Sequence, residues 1–281
     1  MNCPIFTYLD VGSRRSSHLN DGEFGIEIET QYSVATLKAD KSERNRIAIY
    51  TDNPYKYSDL NIDIVDITKI DALADAGKHF VLRLKPAVLL HALRQYGGVC
   101  VFLDSDTYIR PGFTAGVNHM TEKGALLYAV KMVPPVSHFP SDISNYPHPA
   151  RHNPSRTGRP HGNSGVIGLR SGWGEPILED ALWLIDRMLE RGKKTHVLEQ
   201  AAMFETVWLH GRVALDSKDW IYHYCSQSRK RFMHSQIKQL FKKRGRPLPP
   251  MEPCIDHNVS QVKMYQYYWD IKRTVLGLPG R

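Results

Sequence analysis

With 281 residues, 42% of them hydrophobic and 10% aromatic, the chain has ample material for a core, which excludes global disorder. Lys and Arg (37) outnumber Asp and Glu (29), and the strip from Trp220 to Met251 holds no acid but eight cations (Arg229, Lys230, Arg231, Lys238, Lys242, Lys243, Arg244 and Arg246), which account for the whole formal +8. Such a strip suits diphosphate, lipid headgroups or nucleic acid, or is a solvated basic face.

No run approaches the roughly 18 apolar residues of a transmembrane helix, and Met1 to Asp10 lacks a basic region followed by an apolar signal core. Cys3, Cys100, Cys225 and Cys254 are far apart and form no CxxC pair, which speaks against disulfides and a structural zinc. The expectation is a cytosolic protein, with one α/β domain over residues 1–228 and a basic extension over 229–281 packed on or beside it.

Ile5 to Leu9 reads as a first strand, Phe24 to Ala39 as a helix, and Arg46 to Thr51 as a second strand. Ile62 to Ile67 alternates with period two, a third strand. From Phe80 to Tyr96, Leu84, Val88, His91 and Gln95 are spaced for one face of a buried helix, which Gly97-Gly98 ends. Val99-Cys100-Val101-Phe102-Leu103 is continuously apolar, the pattern of a central strand covered on both faces. Strands alternating with helices predict a doubly wound, mostly parallel sheet, which binds ligands beyond the carboxyl ends of its strands.

Val133 to Gly162 carries seven prolines and four histidines without periodicity and is expected to be a long functional loop. Ser164 to Leu169 reads as a strand. Ile177 to Arg191 reads as an amphipathic helix stopped by Gly192. In the basic strip, Ile237, Leu240 and Phe241 are spaced for one face of a helix.

The chemistry concentrates at Asp104-Ser105-Asp106, at the exit of the most buried strand. Two carboxylates that close resist joint ionisation, and a divalent cation removes the conflict. Hard oxygen ligands suit Mg²⁺ or Mn²⁺, which complete their shells with water and phosphate oxygens.

These residues resemble the nucleotide-diphospho-sugar transferases of GT-A fold, particularly the glycogenin-like retaining enzymes and their bacterial relatives. The resemblance covers about half of the chain. It runs through Leu84-Lys85-Pro86, Tyr96-Gly97-Gly98, Phe102 to Thr107, Asn163-Ser164-Gly165-Val166-Ile167, Glu199-Gln200 and Tyr222-His223-Tyr224 in that order. It implies a GT-A sheet flanked by helices and transfer of a sugar from a nucleoside diphosphate donor, a UDP-sugar first, to a glycan or lipid-linked saccharide. By the same resemblance Asp104, Asp106 and His223 hold the metal, and Asp104 and Ser105 lie on the donor. Lys85, or in its place Arg83, approaches the nucleotide or its phosphates, and Asn163, Ser164 and Gly165 face the transferred sugar.

Glu199-Gln200 would stand near the anomeric carbon, or Glu199 would merely complement a helix dipole. Ser226, Arg229 and Lys230 occupy the place of a cationic loop over the diphosphate, but Ser226-Gln227-Ser228 replaces the family's glycine. A retaining reaction lets the leaving phosphate take the acceptor proton. An inverting one needs a general base, for which Asp142 or Glu199 is the candidate.

Two other classes compete. A sugar-phosphate nucleotidyltransferase would carry a Gly-rich phosphate loop near its start, of which Val11-Gly12-Ser13-Arg14-Arg15 is a thin imitation. A nucleic-acid binder would use the basic strip with Trp220, Tyr222, Tyr224 and Phe232, but needs no Asp pair and shows no motif; nucleic acid is not the expected partner. The strip instead suggests a peripheral contact with the anionic inner face of a membrane.

Overall fold

Residues 99–103 have no polar side chain to turn toward water, so the chain must cover both of their faces, and that requirement organises the fold. The computed structural model describes residues 3–11, 25–40, 45–76, 80–133, 159–192, 194 and 197–255. In chain order its elements are β1 (Ile5–Asp10), α1 (Gly25–Ala39), β2 (Arg46–Thr51), β3 (Asp63–Asp66), α2 (Asp71–Ala76), α3 (Leu84–Tyr96) and β4 (Val99–Leu103). After these come β5 (Thr107–Ile109), α4 (Phe113–Lys123), β6 (Gly124–Val133), β7 (Arg159–Arg170), α5 (Gly174–Glu190), α6 (Leu198–Leu209), β8 (Val213–Asp216), β9 (Ile221–His223) and α7 (Gln227–Arg244).

Seven strands form one sheet in the order β3-β2-β1-β4-β7-β6-β8, and β5 pairs with β9 in a two-stranded ribbon. β7 alone runs against its neighbours β4 and β6; the other pairings in the large sheet are parallel. This is the α/β, mostly parallel architecture that the alternation of elements predicts.

Period-two alternation sorts the strand side chains between two cores. Ile5 and Leu9 of β1 and Cys100 and Phe102 of β4 face a cluster with α3, α5 and α6. Phe6 and Tyr8, with Val99, Val101 and Leu103, face α1 and α4. A third cluster joins the outer face of α1 (Ile28, Tyr32, Ala35) to Phe232, Met233, Ile237 and Phe241 of α7. That packing decides where the apolar face of the basic helix goes. The apolar stripe of the basic helix is occupied by this chain's own core, with Ile237 and Phe241 buried and Leu240 packed against them, so it does not offer an apolar face to a bilayer.

The long helix starts at Leu84 instead of Phe80, because Val81–Arg83 form a short 3-10 turn first. Gly97 then ends it at φ 67°, the left-handed conformation that favours glycine. Of the loop expected over 133–162, residue 133 belongs to β6 and 159–162 belong to β7; residues 134–158, Asp142 among them, lie outside the described residues, as does Gly12 to Arg15. Gly162 can sit in a strand because a Cβ there would meet the Tyr128 carbonyl and the Phe204 ring, each at 2.7 Å.

Candidate metal and diphosphate site

The acidic triplet is a turn pinned at both ends. The Asp104 N–H donates to the Gly165 carbonyl at 2.8 Å, extending the β4·β7 ladder past Leu103. The Asp106 carbonyl accepts from the Tyr224 N–H at 3.0 Å, next to the β5·β9 ribbon that sets Thr107 opposite His223. Thr107 Oγ1 closes the turn on the Asp104 carbonyl at 2.7 Å. Sheet and ribbon together therefore deliver two carboxylates and an imidazole to one point.

Asp104, Asp106 and His223 each offer a donor atom within 4.8 Å of the others. His223 Nε2 lies 3.0 Å from Asp106 Oδ1 and 3.8 Å from Asp104 Oδ2. Asp106 and His223 are buried, and Asp104 is half-buried. Two hard carboxylates and one imidazole suit a small divalent ion such as Mn²⁺ or Mg²⁺. The buried His223 Nδ1 has no hydrogen-bond partner, so the ring is positioned by packing alone on that side.

Two features fix that ring. A Cβ at Gly165 would lie 2.5 Å from His223 Nδ1, so the glycine gives the ring its space. On the other side the Tyr128 hydroxyl accepts the His223 backbone N–H at 3.2 Å, and its ring meets the imidazole edge-on at 5.4 Å. Tyr128 is aimed there by an irregularity in β6, where the register with β7 shifts and Ala129 takes φ 52°; a bulge beside a site that redirects a side chain is a recurrent device. Asp216 Oδ1 accepts the Ala129 N–H at 2.8 Å and supports the distortion.

Two ammonium groups face the carboxylates. Lys85, in the first turn of α3, lies 2.8 Å from Asp104, and Lys230, in the first turn of α7, lies 2.7 Å from Asp106 Oδ2. Burial disfavours the charged form of both lysines, but the carboxylates outweigh it, Asp104 foremost for Lys85 and Asp106 for Lys230, and both ammonium groups are held above the ordinary lysine range. Burial likewise opposes ionisation of Asp106, yet His223 and Lys230 hold its carboxyl well below the usual carboxylate range.

Glu199 lies in the first turn of α6 and is 1% exposed; Ser164 Oγ donates to its Oε2 at 2.9 Å, and its Oε1 is buried without a partner. Burial first, then the Asp104 charge, push its carboxyl up to about 7 against the pull of Lys85 and Ser164. Glu199 is thus both a helix-start acid and a site group. Gln200 follows on the same helix, half-buried. Asn163 Oδ1 accepts the Gly165 N–H at 2.6 Å, a local turn that shapes the approach to His223.

Two further candidates make other contacts. Arg83 makes a two-pronged pair with Asp186 of α5, at 2.6 and 2.7 Å, which ties the start of α3 to α5. Ser226 is exposed ahead of α7, where its carbonyl accepts the Lys230 N–H at 2.9 Å. Of Arg83 and Lys85, it is Lys85 that meets the Asp pair.

The sequence reading missed Glu29 and His234. Ser105 Oγ donates to Glu29 Oε2 at 3.1 Å, and His234 Nε2 lies 2.6 Å from Glu29 Oε1, so Glu29 links the triplet to α7. The available signal was the spacing of Lys230 and His234, four residues apart on one helical face. No protein-family model matches the chain, and no curated protein matches it either.

Proposed function

We propose that the chain is a glycosyltransferase of GT-A type that moves a sugar from a nucleoside diphosphate sugar, a UDP-sugar in the first instance, to a glycan or lipid-linked saccharide, with Mn²⁺ or Mg²⁺ as cofactor. The observation that carries this reading is the meeting of Asp104, Asp106 and His223 beside Lys85 and Lys230, at the carboxyl end of the central strand. A diphosphate needs positive charge on more than one side, and this site pairs a seat for a divalent ion with two ammonium groups. When bound, the ion supplies Lewis-acid neutralisation of the departing diphosphate.

Asp104, Asp106 and His223 would hold that ion, and Lys85 and Lys230 would steady the phosphates. Glu199, with a carboxyl titrating at about 7, steadies positive charge on the sugar as a carboxylate. Retention is the favoured course, with the leaving phosphate accepting the acceptor proton; in an inverting course Glu199 would take that proton itself. The exposed cations at the far end of α7 support work beside an anionic membrane surface. Among the described residues no helix is long and apolar enough to cross a membrane.

The test is calorimetry of UDP with and without Mn²⁺, followed by a panel of nucleotide sugars scored for metal-dependent hydrolysis. UDP binding should require the metal, and Asp106→Ala should abolish that dependence while the fold survives. Equal UDP affinity in EDTA removes the proposal, and release of inorganic diphosphate from a sugar phosphate and UTP would instead point to nucleotidyl transfer.

A further inference from the structure

Asp106 is 4% exposed, and both of its oxygens are engaged: Oδ1 by His223 Nε2 at 3.0 Å, Oδ2 by Lys230 Nζ at 2.7 Å. A divalent ion bound at such a carboxylate sits about 2.0 to 2.1 Å from oxygen for Mg²⁺, close enough to repel an ammonium held on the same group. Lys230 has little to replace that partner. Of the two other acids that act on it, Glu29 and Asp104, Glu29 already accepts from Ser105 through one oxygen and meets His234 through the other. Asp104 is likewise engaged by Lys85 at 2.8 Å.

The two lysines differ in freedom. Lys85 is 10% exposed at its side chain and packs over the Phe102 ring at 5.7 Å, whereas Lys230 is 20% exposed at the start of α7. Lys230 is the one that can swing on its four-carbon stem without leaving the core.

We infer that Lys230 and the divalent ion are alternative occupants of Asp106, and that a nucleoside diphosphate decides between them by receiving the Lys230 ammonium on its phosphates. This rests on the functional reading above and adds to it a coupling between metal and nucleotide. Metal alone must displace Lys230 from its carboxylate and leave the ammonium unpaired. Metal arriving with nucleotide gives that ammonium a new anion, so the two ligands bind with positive coupling. By linkage, each raises the other's affinity by the same factor.

The experiment measures Mn²⁺ affinity by calorimetry, with and without saturating UDP, for the full chain and for Lys230→Met and Lys230→Gln, with circular dichroism to show that each variant is folded. Lys242→Gln, an exposed cation at the other end of α7, controls for loss of general positive charge. In the unaltered chain UDP should tighten Mn²⁺ by a factor in the range of roughly 5 to 150 that typifies coupled sites. Both Lys230 variants should bind Mn²⁺ alone more tightly than the unaltered chain and show a smaller UDP factor, while Lys242→Gln changes neither. Folded Lys230 variants with unchanged or weaker affinity for Mn²⁺ alone overturn the inference and leave the metal reading standing. Absence of Mn²⁺ binding by the unaltered chain, with and without UDP, overturns both.

Discussion

Asp104 and Asp106 reach the site on backbone that is hydrogen-bonded at both ends, whereas Lys85 and Lys230 reach it on long side chains from helices outside the sheet. The acids cannot move without breaking a ladder. The more exposed ammonium group, that of Lys230, can exchange one anion for another by rotating single bonds. Under the proposed function, a site that holds a metal at one moment and a departing diphosphate at the next would gain from that division, since the metal seat would stay preorganised while the counter-charge adapts. His223 belongs with the acids: strand β9 carries it, and Gly165 and Tyr128 fix it from two sides.

The comparison breaks most visibly if the mobile side loses its anchor. Ile237 is fully buried between α7 and α1, and Ile237→Ala should destabilise the chain by about 2 to 5 kcal/mol in chemical denaturation, the usual range for truncating a core aliphatic. Loss of under about 1 kcal/mol would show that α7 is not seated on α1 as described.

Glu199 provides the next largest effect, and it depends on pH. Its folded pKa is raised from 4.5 to about 7, so the folded chain holds a proton that the unfolded chain releases. The stability that this proton confers is complete below about pH 4.5, is lost as pH rises toward 7, and is flat beyond. At about 1.4 kcal/mol per pH step, the group can remove up to about 3 kcal/mol between those limits. Glu199→Gln should abolish that slope and make the metal-free protein more stable than the unaltered chain at pH 8. Equal stability of the two at pH 8, by urea titration in EDTA, would refute a buried carboxyl of that character.

The fixed side is tested by Gly165→Ala. Its methyl would collide with the imidazole, and overpacking of this kind is worth about 1 to 3 kcal/mol. Displacing a ligand should also weaken Mn²⁺ binding more than it weakens the fold. Tyr128→Phe removes only the hydroxyl that accepts the His223 backbone N–H, an effect of about 1 kcal/mol, with metal affinity falling in the same direction. Metal affinity untouched in both variants would mean that His223 is not a ligand.

Much of the fixed side was legible in the sequence. An unbroken apolar strand has to be central, and acids that follow it have to stand at its carboxyl end; His223 and Asn163-Ser164-Gly165, by contrast, entered only through the family resemblance, since their local sequence also suits a packed histidine and an ordinary turn. What escaped depends on partners remote in sequence. Nothing local says that Arg83 will find Asp186, or that Glu29 will find His234, since those pairs exist only after α3 and α5, or α1 and α7, have packed. β6 also went unread, and so did the bend at Ala129 that aims Tyr128, because a residue pushed to φ 52° carries no compositional mark. Pro160 and Gly162 concealed the start of β7, since both residue types read as loop where a close backbone approach in fact requires glycine.

The smallest expected effect on the fold concerns the exposed end of α7, where Lys238, Lys242, Lys243 and Arg244 point to solvent while Ile237 and Phe241 face inward. Lys242, Lys243 and Arg244 lie in the last turn, where cations complement the helix dipole by about 0.3 to 1 kcal/mol at most, and Lys238 is exposed one turn earlier, so changing all four to Gln should shift stability little. They are also remote from the Asp pair that Lys230 reaches, so Mn²⁺-dependent UDP binding should survive. What should change is attraction to an anionic surface. Each Lys or Arg near such a bilayer is worth about 1 kcal/mol, and with the apolar stripe buried the contact must be electrostatic alone. Sedimentation with anionic vesicles should therefore be strong at low salt, vanish as the Debye length falls to about 8 Å at physiological ionic strength or below at higher salt, and be lost in the fourfold variant. Salt-resistant vesicle binding would mean that an apolar group inserts after all. No vesicle binding by the unaltered chain at low salt would leave these cations as a solvated face, and the adaptable half of the site would then end at Lys230.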